Sequence, residues 1–336
     1  MLISSRTPLR ISFVGGGTDY PEYFEREPGA VVGLAINRYI YISVIKLADF
    51  INYRYRLSYS KLEIASDIQE IEHPVVRNVL DHYNVREPLD INVMAELPSC
   101  TGLGSSSSFT VGLINLVSAL KETPLTRLDL AHAAIHTERV LLKERVGVQD
   151  QLHAAFGGMN RFDFKEGRTQ ITPIHMRTEC QSTLMSSLVL VYTGIRRFAS
   201  NILDDQLAAT SNKELDQDLS HLMSLTDQTV NILESPNAEG LLDDLGSILH
   251  EGWMTKKKLG SKVSTPHIDA LYDYALASGA IGGKLCGAGG GGFMLFLIPP
   301  QNRKRFDEAM AGKAIIPIEL DTNGSTIVTN ILPSGM

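Results

Sequence analysis

The glycines of this 336-residue chain are unevenly placed, and this pattern constrains its fold more than any other feature. Twelve of the 28 glycines lie in three short segments, 15–17, 102–104 and 282–292. Because glycine has no side chain, such clusters mark places where the backbone turns sharply or approaches another group closely. The last segment precedes the apolar run FMLFLI, which has to be buried. We therefore interpret the clusters as parts of a folded region and not as linkers.

Composition narrows the class of protein. With 43% hydrophobic and 21% charged residues, the chain can build a core, and its length predicts two domains. A net charge of −7 disfavours a general nucleic-acid or membrane-surface binder. Three cysteines without CxxC spacing, and no apparent targeting or membrane-spanning segment, predict a cytoplasmic protein. We expect its partners to be small molecules, with no nucleic acid and no membrane.

Periodicity of apolar residues predicts a strand-rich first part and a more helical second part. The predicted strands are 9–14, 31–34, 39–45, 53–59, 89–95, 187–192, 292–298, 315–320 and 325–332. The predicted helices are 74–83, one that follows 104, one behind a Thr126 cap, and several within 200–280. The predicted secondary structure changes from strands to mainly helices at 180–200, which divides the chain into domains 1–185 and 186–336. The whole chain is predicted to be an α+β protein.

The second glycine segment lies between a strand that ends near Pro98 and a helix that begins among Ser105–Ser108, with serines available as N-caps. Glycines let backbone N–H groups approach an anion, and the first turn of a helix favours phosphate. The segment has neither GxxxxGK[ST] nor GxGxxG, so it is not a P-loop and a Rossmann site is unsupported. By itself it is equally compatible with a flexible loop. The third segment, GGKLCGAGGGG, favours a binding role for both.

Three segments, in order along the chain, resemble the three signature motifs of the GHMP kinase superfamily. They are RTPLRISFVGGGTDY at 6–20, PSCTGLGSSSS at 98–108 and KLCGAGGGGF at 284–293. Within that superfamily, GGGTDYP and YTGIRRFAS are most similar to the heptose 7-phosphate kinases. The resemblance implies an N-terminal domain like ribosomal protein S5 domain 2 and a ferredoxin-like C-terminal domain, with the active site between them.

The resemblance also implies ATP, Mg²⁺ and transfer of the γ-phosphate to the anomeric hydroxyl of D-glycero-D-manno-heptose 7-phosphate. That reaction is a step toward nucleotide-activated heptose. A kinase for another sugar, such as L-fucose, and a catalytically silent sensor on the same fold stay open, and the expected oligomeric state is a monomer or a homodimer. The residues that the second motif assigns to the nucleotide are Pro98, Ser99, Thr101, Gly102, Leu103, Gly104, Ser105, Ser106, Ser107 and Ser108.

Carried over residue by residue, the resemblance assigns Asp150 as the catalytic base and Glu138 as a metal ligand, with Ser106 opposite it. Arg10 lies where the family has a cationic residue, and it is expected to pair with Asp150 or with the transferred phosphoryl group. Local sequence leaves alternatives. Asp150 is equally compatible with an N-cap, and without the motif Glu138 would be read as a solvated partner of a neighbouring basic residue.

The remaining assignments concern the sugar. Asp19 matches the aspartate that binds sugar hydroxyls, and Gly16–Gly17 replaces the Glu-His of galactokinases, which implies a wider pocket. Residues assigned to substrate are Gly16, Gly17, Thr18, Asp19, Arg196, Arg197, Gly287, Ala288, Gly289 and Gly290. Arg196 and Arg197 are the leading candidates for binding the distal phosphate, the one that the sugar already carries at its far end. Arg56 and the run Lys256–Lys258 are weaker candidates, because a lysine run is usually a solvated face.

Overall fold

A computed structural model describes residues 1–48, 50–196, 200–235 and 239–331 of the chain. The strands are β1 Leu2–Val14, β2 Gly29–Lys46, β3 Tyr55–Ser58, β4 Leu62–Ala65, β5 Leu89–Ala95, β6 Met159–Lys165, β7 Arg168–Pro173, β8 Leu188–Tyr192, β9 Gly282–Leu285, β10 Phe293–Leu297, β11 Ile315–Pro317 and β12 Thr326–Ile331. The helices are α1 Pro21–Phe24, α2 Pro74–His82, α3 Ser105–Leu120, α4 Arg127–His136, α5 Gln149–Phe156, α6 Thr178–Ser187, α7 Ser200–Ser211, α8 Asp216–Leu233, α9 Leu241–Lys256, α10 Pro266–Ala277 and α11 Arg303–Ala309. A π-helical turn, Thr137–Leu141, continues α4, and 3₁₀ turns occupy Ile68–Glu70, Lys257–Leu259 and Pro300–Asn302.

The larger sheet is built around the long strand β2. Its strand order is β12-β1-β2-β5-β3-β4, and β6 pairs with the first half of β2 and with β7. All pairs are antiparallel except β3 with β5. The apolar helix α3 packs on β1 and β2, and α5 packs beside it on the same strands. This arrangement brings the loops that precede α3 and α5 to the end of β1.

The smaller sheet has the antiparallel order β11-β8-β10-β9, with α9 and α10 against β9. Successive residues of β8 belong to different cores. Leu188 and Leu190 join the large core that continues into the first sheet, whereas Val189 and Val191 join a smaller core around Trp253. The sheet is therefore buried on both faces, which explains why the strand pattern of SLVLVY shows no polar alternation. Two sheets with this helix arrangement confirm the predicted α+β class.

The C-terminal strand returns to the first sheet. β12 pairs antiparallel with β1, from Leu2–Ile331 to Arg6–Thr326. Assigning all residues from 186 to 336 to the second domain does not allow for this strand. The boundary at 185/186 itself stays a prediction.

Several elements differ from the sequence-based expectation. The two strands predicted at 31–34 and 39–45 form the single strand β2, with a register shift opposite Pro8–Leu9, so the polar pair Asn37–Arg38 is a bulge and not a turn. β9 lies within the third glycine segment. Glycine is needed in this strand, because a side chain at Gly282 would collide with the Gly246 carbonyl of α9. Among the described residues, no helix combines the length and apolar character that crossing a bilayer requires.

Candidate active site

A buried ion pair joins β1 to α5. Arg10 Nε and Nη2 each donate to Asp150 at 2.7 Å, and Nη1 donates to the Gly102 carbonyl at 2.6 Å. The Arg10 side chain is 6% exposed and that of Asp150 is 24% exposed, so the carboxylate alone reaches toward solvent. Asp150 lies in the first turn of α5, where its charge is favourable. The structure thus brings together the two residues predicted to be catalytic, in a bidentate geometry that fixes the carboxylate's orientation.

The second and third glycine segments contact each other directly. A side chain at Gly102 would lie 2.4 Å from the Cys286 carbonyl, and one at Gly287 would lie 2.5 Å from the Gly102 Cα. The Phe293 N–H also donates to the Thr101 carbonyl at 3.0 Å. The smaller sheet therefore supports the predicted phosphate loop from behind, and this contact requires both glycines.

The helix after the loop begins differently from the prediction. Gly104, with a φ of 75°, is the N-cap of α3, and no side chain caps this helix. The expectation of a serine N-cap is wrong, because the left-handed conformation at this position favours glycine. The first-turn N–H groups consequently remain available, and free N–H groups at a helix N-terminus form a binding site for phosphate. A side chain at Gly104 would lie 3.2 Å from Asp150 Oδ2, so this terminus adjoins the ion pair.

Three side chains assigned to the nucleotide instead anchor the loop. Thr101 and Leu103 are fully buried, with Thr101 Oγ1 donating to the Pro98 carbonyl. Ser108 is also buried, and its Oγ donates to the Pro8 carbonyl at 2.8 Å. Their side chains face the protein, so only the backbone of these three residues is available to a nucleotide, and their assignment to it stays a prediction. Pro98, Ser99 and Ser106 are exposed, and Gly102, Gly104 and Ser105 are partly exposed.

Glu138 lies in the π-helical turn, 1% exposed. Ser107 Oγ donates to its Oε2 at 2.9 Å, and Gln151 Nε2 donates to the same oxygen. The second carboxylate oxygen, Oε1, is buried and has no hydrogen-bond partner. Burial raises the pKa of Glu138 to about 7, although the nearby Thr110 hydroxyl and the bonds from Gln151 and Ser107 oppose this. The serine hydroxyl on Glu138 is that of Ser107, whereas the exposed Ser106 points elsewhere on the first turn.

These residues fit a divalent cation. A buried carboxylate with an unused oxygen is costly unless a positive charge faces it. In the described part of the chain, no three His, Cys, Asp or Glu side chains cluster to hold a metal. Mg²⁺ is commonly bound by one or two carboxylates together with water and substrate phosphates, so Glu138 supplies a sufficient protein ligand. Ser106 as a further ligand stays a prediction.

Asp19 lies in the loop after β1 and faces the space in front of Asp150. It is buried, and its carboxylate accepts the Gly17 N–H at 3.0 Å and the Gln149 N–H at 3.4 Å. Burial raises the pKa of Asp19, the bond from the Gly17 N–H opposes this, and the negative charge of Asp150 raises the pKa further. Gly16 is open toward this space, since a side chain there would meet only Gln149 Nε2, at 3.6 Å, and Ser12 Oγ, at 3.9 Å.

Thr18, which the sequence assigns to the substrate, is bonded to the backbone of the turn after β1. Its fully buried hydroxyl donates to the carbonyls of Gly15 and Ala30 and accepts the Ala30 N–H. All of its hydrogen-bonding capacity serves the turn after β1, so its side chain shapes the sugar pocket without contacting a sugar. Gly17 likewise packs against Leu219 of α8.

The predicted basic residues are placed in different ways. Arg196 is exposed on a loop next to Ile195, whose carbonyl accepts the Gly292 N–H. Arg197 lies outside the described residues. Arg56 on β3 pairs with Asp90 of the same sheet. In the third motif Gly287, Ala288 and Gly289 are partly exposed, and the buried Gly290 donates its N–H to the Val263 carbonyl.

Two lysines of the smaller domain also reach the site. Lys284 Nζ, on β9, donates to the Ser12 carbonyl at 2.8 Å, and Lys256 Nζ, at the end of α9, donates to the Gly287 carbonyl. Burial lowers the pKa of Lys284 to about 7 and that of Lys256 to about 8. Sequence reasoning gave Lys284 no role and kept Lys256 only as a weaker candidate for the distal phosphate, because a lysine run is usually a solvated face. That interpretation fits only the exposed Lys258.

Comparison with known families decides the identity of this arrangement. Residues 70–158 match the model of the GHMP kinases N-terminal domain, and residues 234–314 match that of the GHMP kinases C-terminal domain. Together the two matches cover about half of the chain, and they include the phosphate loop, Glu138, Asp150 and the third motif. The chain belongs to the GHMP kinases.

Individual GHMP kinases resemble it over most of its length. A D-glycero-alpha-D-manno-heptose 7-phosphate kinase of Campylobacter jejuni is 28% identical over 319 residues, which are 92% of this chain and 93% of that protein. An L-fucokinase/L-fucose-1-P guanylyltransferase of Bacteroides fragilis is 24% identical over 94% of this chain and 37% of its own length. The crystal structure of a D-glycero-D-manno-heptose 1-phosphate kinase from Bacteroides thetaiotaomicron superposes with a TM-score of 0.79 at 22% identity, covering 98% of this chain and all of that one.

Membership of the GHMP kinases makes the protein a phosphotransferase with an alcohol group as acceptor, and GHMP kinases use ATP as the phosphate donor. The geometry is suited to that chemistry. Phosphoryl transfer needs positioned phosphates, neutralised charge and an oriented hydroxyl. Free N–H groups of α3, the Arg10 guanidinium and the Asp150 carboxylate meet at one place to supply these.

Proposed function

We propose that this kinase transfers the γ-phosphoryl group of ATP to the anomeric hydroxyl of D-glycero-D-manno-heptose 7-phosphate, which gives the 1,7-bisphosphate. The observation that carries the proposal is the buried Arg10–Asp150 pair, which adjoins the N-terminus of α3 and shares its space with Asp19. The choice of sugar is supported by the Campylobacter jejuni relative, a heptose 7-phosphate kinase that aligns over nearly the whole chain.

In this proposal Asp150 acts on the acceptor hydroxyl. Its carboxylate accepts the proton as the hydroxyl oxygen bonds to the γ-phosphorus and the bond to the β-phosphate oxygen breaks, which releases ADP. Both carboxylate oxygens are held by Arg10, so the base cannot rotate away from the acceptor. The partial exposure of Asp150 leaves a route for the proton to solvent afterwards.

Arg10 has a second part in the same step. Its guanidinium lies between the carboxylate and the Gly102 carbonyl of the phosphate loop, where it also faces the charge that develops on the transferred group. Mg²⁺, which we expect Glu138 to hold through its unpartnered Oε1, would supply charge neutralisation on the ATP phosphates. Ser107 and Gln151 fix that carboxylate by bonding its other oxygen.

Asp19 is assigned to the sugar hydroxyls. Its carboxylate is held by two backbone N–H groups, and the side-chain-free Gly16 next to it leaves room for the ring.

We place the reaction in the cytoplasm, because all three cysteines are free thiols, as a reducing compartment requires.

The second candidate acceptor is a free deoxysugar such as L-fucose, favoured by the similarity to the L-fucokinase of Bacteroides fragilis. A coupled assay of ADP release discriminates between the two. We expect kcat/KM for heptose 7-phosphate to exceed that for free heptose and for L-fucose by at least tenfold. Preference for either free sugar would reject the phosphorylated acceptor, and no ADP release with any acceptor would support a sensor instead.

A further inference from the structure

Two lysine ammonium groups meet in the active site without a carboxylate partner. Lys284 is 5% exposed and Lys256 is half-buried. Within the described residues, neither Nζ has a carboxylate oxygen within 4.0 Å, although the neighbouring Lys257 pairs with Asp269 at 3.2 Å. Lys284 donates to the Ser12 carbonyl and, at 3.5 Å, to Ser12 Oγ, and Lys256 donates to the Gly287 carbonyl.

This arrangement is unfavourable unless an anion joins it. Burial lowers the pKa of Lys284, and the positive charges of Lys256 and Arg10 lower it further, whereas the negative charge of Asp19 opposes them. Each ammonium has three donors, and the carbonyl bonds leave donors of both groups unused. A lysine retained only for packing would be replaced by an apolar residue of similar volume at little or no cost.

The position of the two lysines relative to the Arg10–Asp150 ion pair indicates which anion they bind. Lys284 bonds to Ser12, two residues beyond Arg10 on β1, and residues i and i+2 of a strand are about 7 Å apart on the same face. Ser12 Oγ also lies beside Gly16, which lines the assigned sugar space. Lys284 thus lies on the sugar side of the site, and Lys256 lies next to it on the third motif, where Gly287 meets Gly102 of the phosphate loop. The free N–H groups of α3 and Glu138 lie on the side of the nucleotide phosphates.

We propose that Lys256 and Lys284 bind the phosphate group that the acceptor already carries, so that the smaller domain selects phosphorylated over free sugars. This inference rests on the proposed function, because only a phosphorylated acceptor places an anion there. It replaces Arg196 as the leading candidate for the distal phosphate, since Arg196 is exposed and the lysines are aimed into the site.

Substitution to methionine tests the pair, because methionine preserves the length of the side chain and removes the charge. For both Lys256→Met and Lys284→Met we expect KM for heptose 7-phosphate to rise by about 10- to 100-fold, as loss of a charge-assisted bond predicts. KM for ATP and the melting temperature should stay close to those of the wild type. Lys258→Met removes an exposed charge from the same run and is the matched control. Lys284→Arg should recover part of the acceptor affinity.

A purely structural role would lower the melting temperature and change both KM values, and a role toward ATP would raise KM for ATP; either result would overturn the proposal. A binding measurement separates the proposal from the assigned sugar. Calorimetric titration of inorganic phosphate into the enzyme, with a non-hydrolysable ATP analogue present, should show a site in the wild type that Lys284→Met weakens at least tenfold. Equal binding by both proteins would refute the lysine site. Failure of the wild type to use heptose 7-phosphate would refute only the proposed acceptor.

Discussion

The Arg10–Asp150 pair gives the sharpest single prediction, the effect of Asp150→Asn. An asparagine keeps one acceptor oxygen, but its NH₂ group would face a guanidinium N–H, so one of the two 2.7 Å bonds is lost. Loss of a positioned general base typically reduces the rate by about 10²- to 10⁴-fold. We therefore expect kcat to fall by at least about 100-fold.

The same substitution also leaves Arg10, whose side chain is 6% exposed, without a counter-ion. Removing one partner of a fully buried pair costs about 3–5 kcal/mol, and the 24% exposure of the Asp150 side chain reduces this to about 2 kcal/mol. ATP affinity should change less than about threefold, because the free N–H groups of α3 and the Glu138 site are untouched.

Three measurements check this prediction: kcat from coupled ADP release, the ATP dissociation constant from calorimetry, and the free energy of unfolding from urea denaturation. Asp163→Asn is the matched control, since it breaks a 2.8 Å pair with Arg161 on β6, outside the site. That variant should retain wild-type kcat with a smaller loss of stability. Near-normal kcat in Asp150→Asn would refute the assignment of the base.

Four further predictions concern the site and its supports. Because burial raises the pKa of Glu138 to about 7, the metal-free folded protein keeps a proton on this carboxylate that the unfolded chain releases near pH 4.5. The free energy of unfolding should therefore fall by up to about 3 kcal/mol between pH 4.5 and 7. Urea titrations without Mg²⁺ should show this slope in the wild type and not in Glu138→Gln. Mg²⁺ affinity, measured by calorimetry, should accordingly increase from pH 6 to pH 8 in the wild type and be weak at both in Glu138→Gln. Gly102→Ala places a methyl group 2.4 Å from the Cys286 carbonyl, so KM for ATP should rise at least tenfold; an unchanged KM would show that the contact between the two glycine segments is dispensable. Gly252→Ala in α9 meets only ordinary contacts at 3.5 and 3.6 Å and should stabilise the protein by about 0.5–1 kcal/mol in urea denaturation, with lower stability as the contrary result.

Much of the fold was accessible from periodicity. The predicted 89–95 strand and the helix at 74–83 coincide with β5 and, within one residue, α2, since both have a clear apolar pattern with a proline or polar boundary. The hairpin β6–β7 was missed, because half of its residues are polar and its turn, Glu166–Gly167, lies in a charged stretch. The return of β12 to β1 is a long-range pairing that no local pattern indicates.

The site was predictable where a motif fixed the residue and less so where burial decided its role. Arg10, Glu138 and Asp150 follow from motif positions, and the structure pairs Arg10 with Asp150 and buries Glu138, while their catalytic and metal-binding roles stay predictions. The choice between Ser106 and Ser107 depends on which residue caps α3, because moving the cap by one residue rotates the serines by about 100° around the helix.

The sequence did not indicate the positions that Lys256, Gln149 and Gln151 take in the site. Lys256 belongs to a run that resembles a solvated face, and only the packing of α9 against β9 turns its ammonium toward Gly287. The two glutamines flank Asp150 in a segment of small and apolar residues, and that contrast was the one available signal for them. The Gln149 backbone N–H bonds to Asp19 and the buried Gln151 amide bonds to Glu138, and both contacts depend on the tertiary fold.

The central claim, transfer of the γ-phosphoryl group to the anomeric hydroxyl of a sugar phosphate, is tested most directly by phosphorus NMR of the product. After incubation of the enzyme with ATP, Mg²⁺ and D-glycero-D-manno-heptose 7-phosphate, we predict ADP together with a sugar that carries two phosphomonoesters, one of which couples to the anomeric proton. The Asp150→Asn enzyme, incubated in parallel, should leave the sugar unchanged. A new phosphate coupled to any other proton, or an unchanged sugar with the wild-type enzyme, would contradict the account.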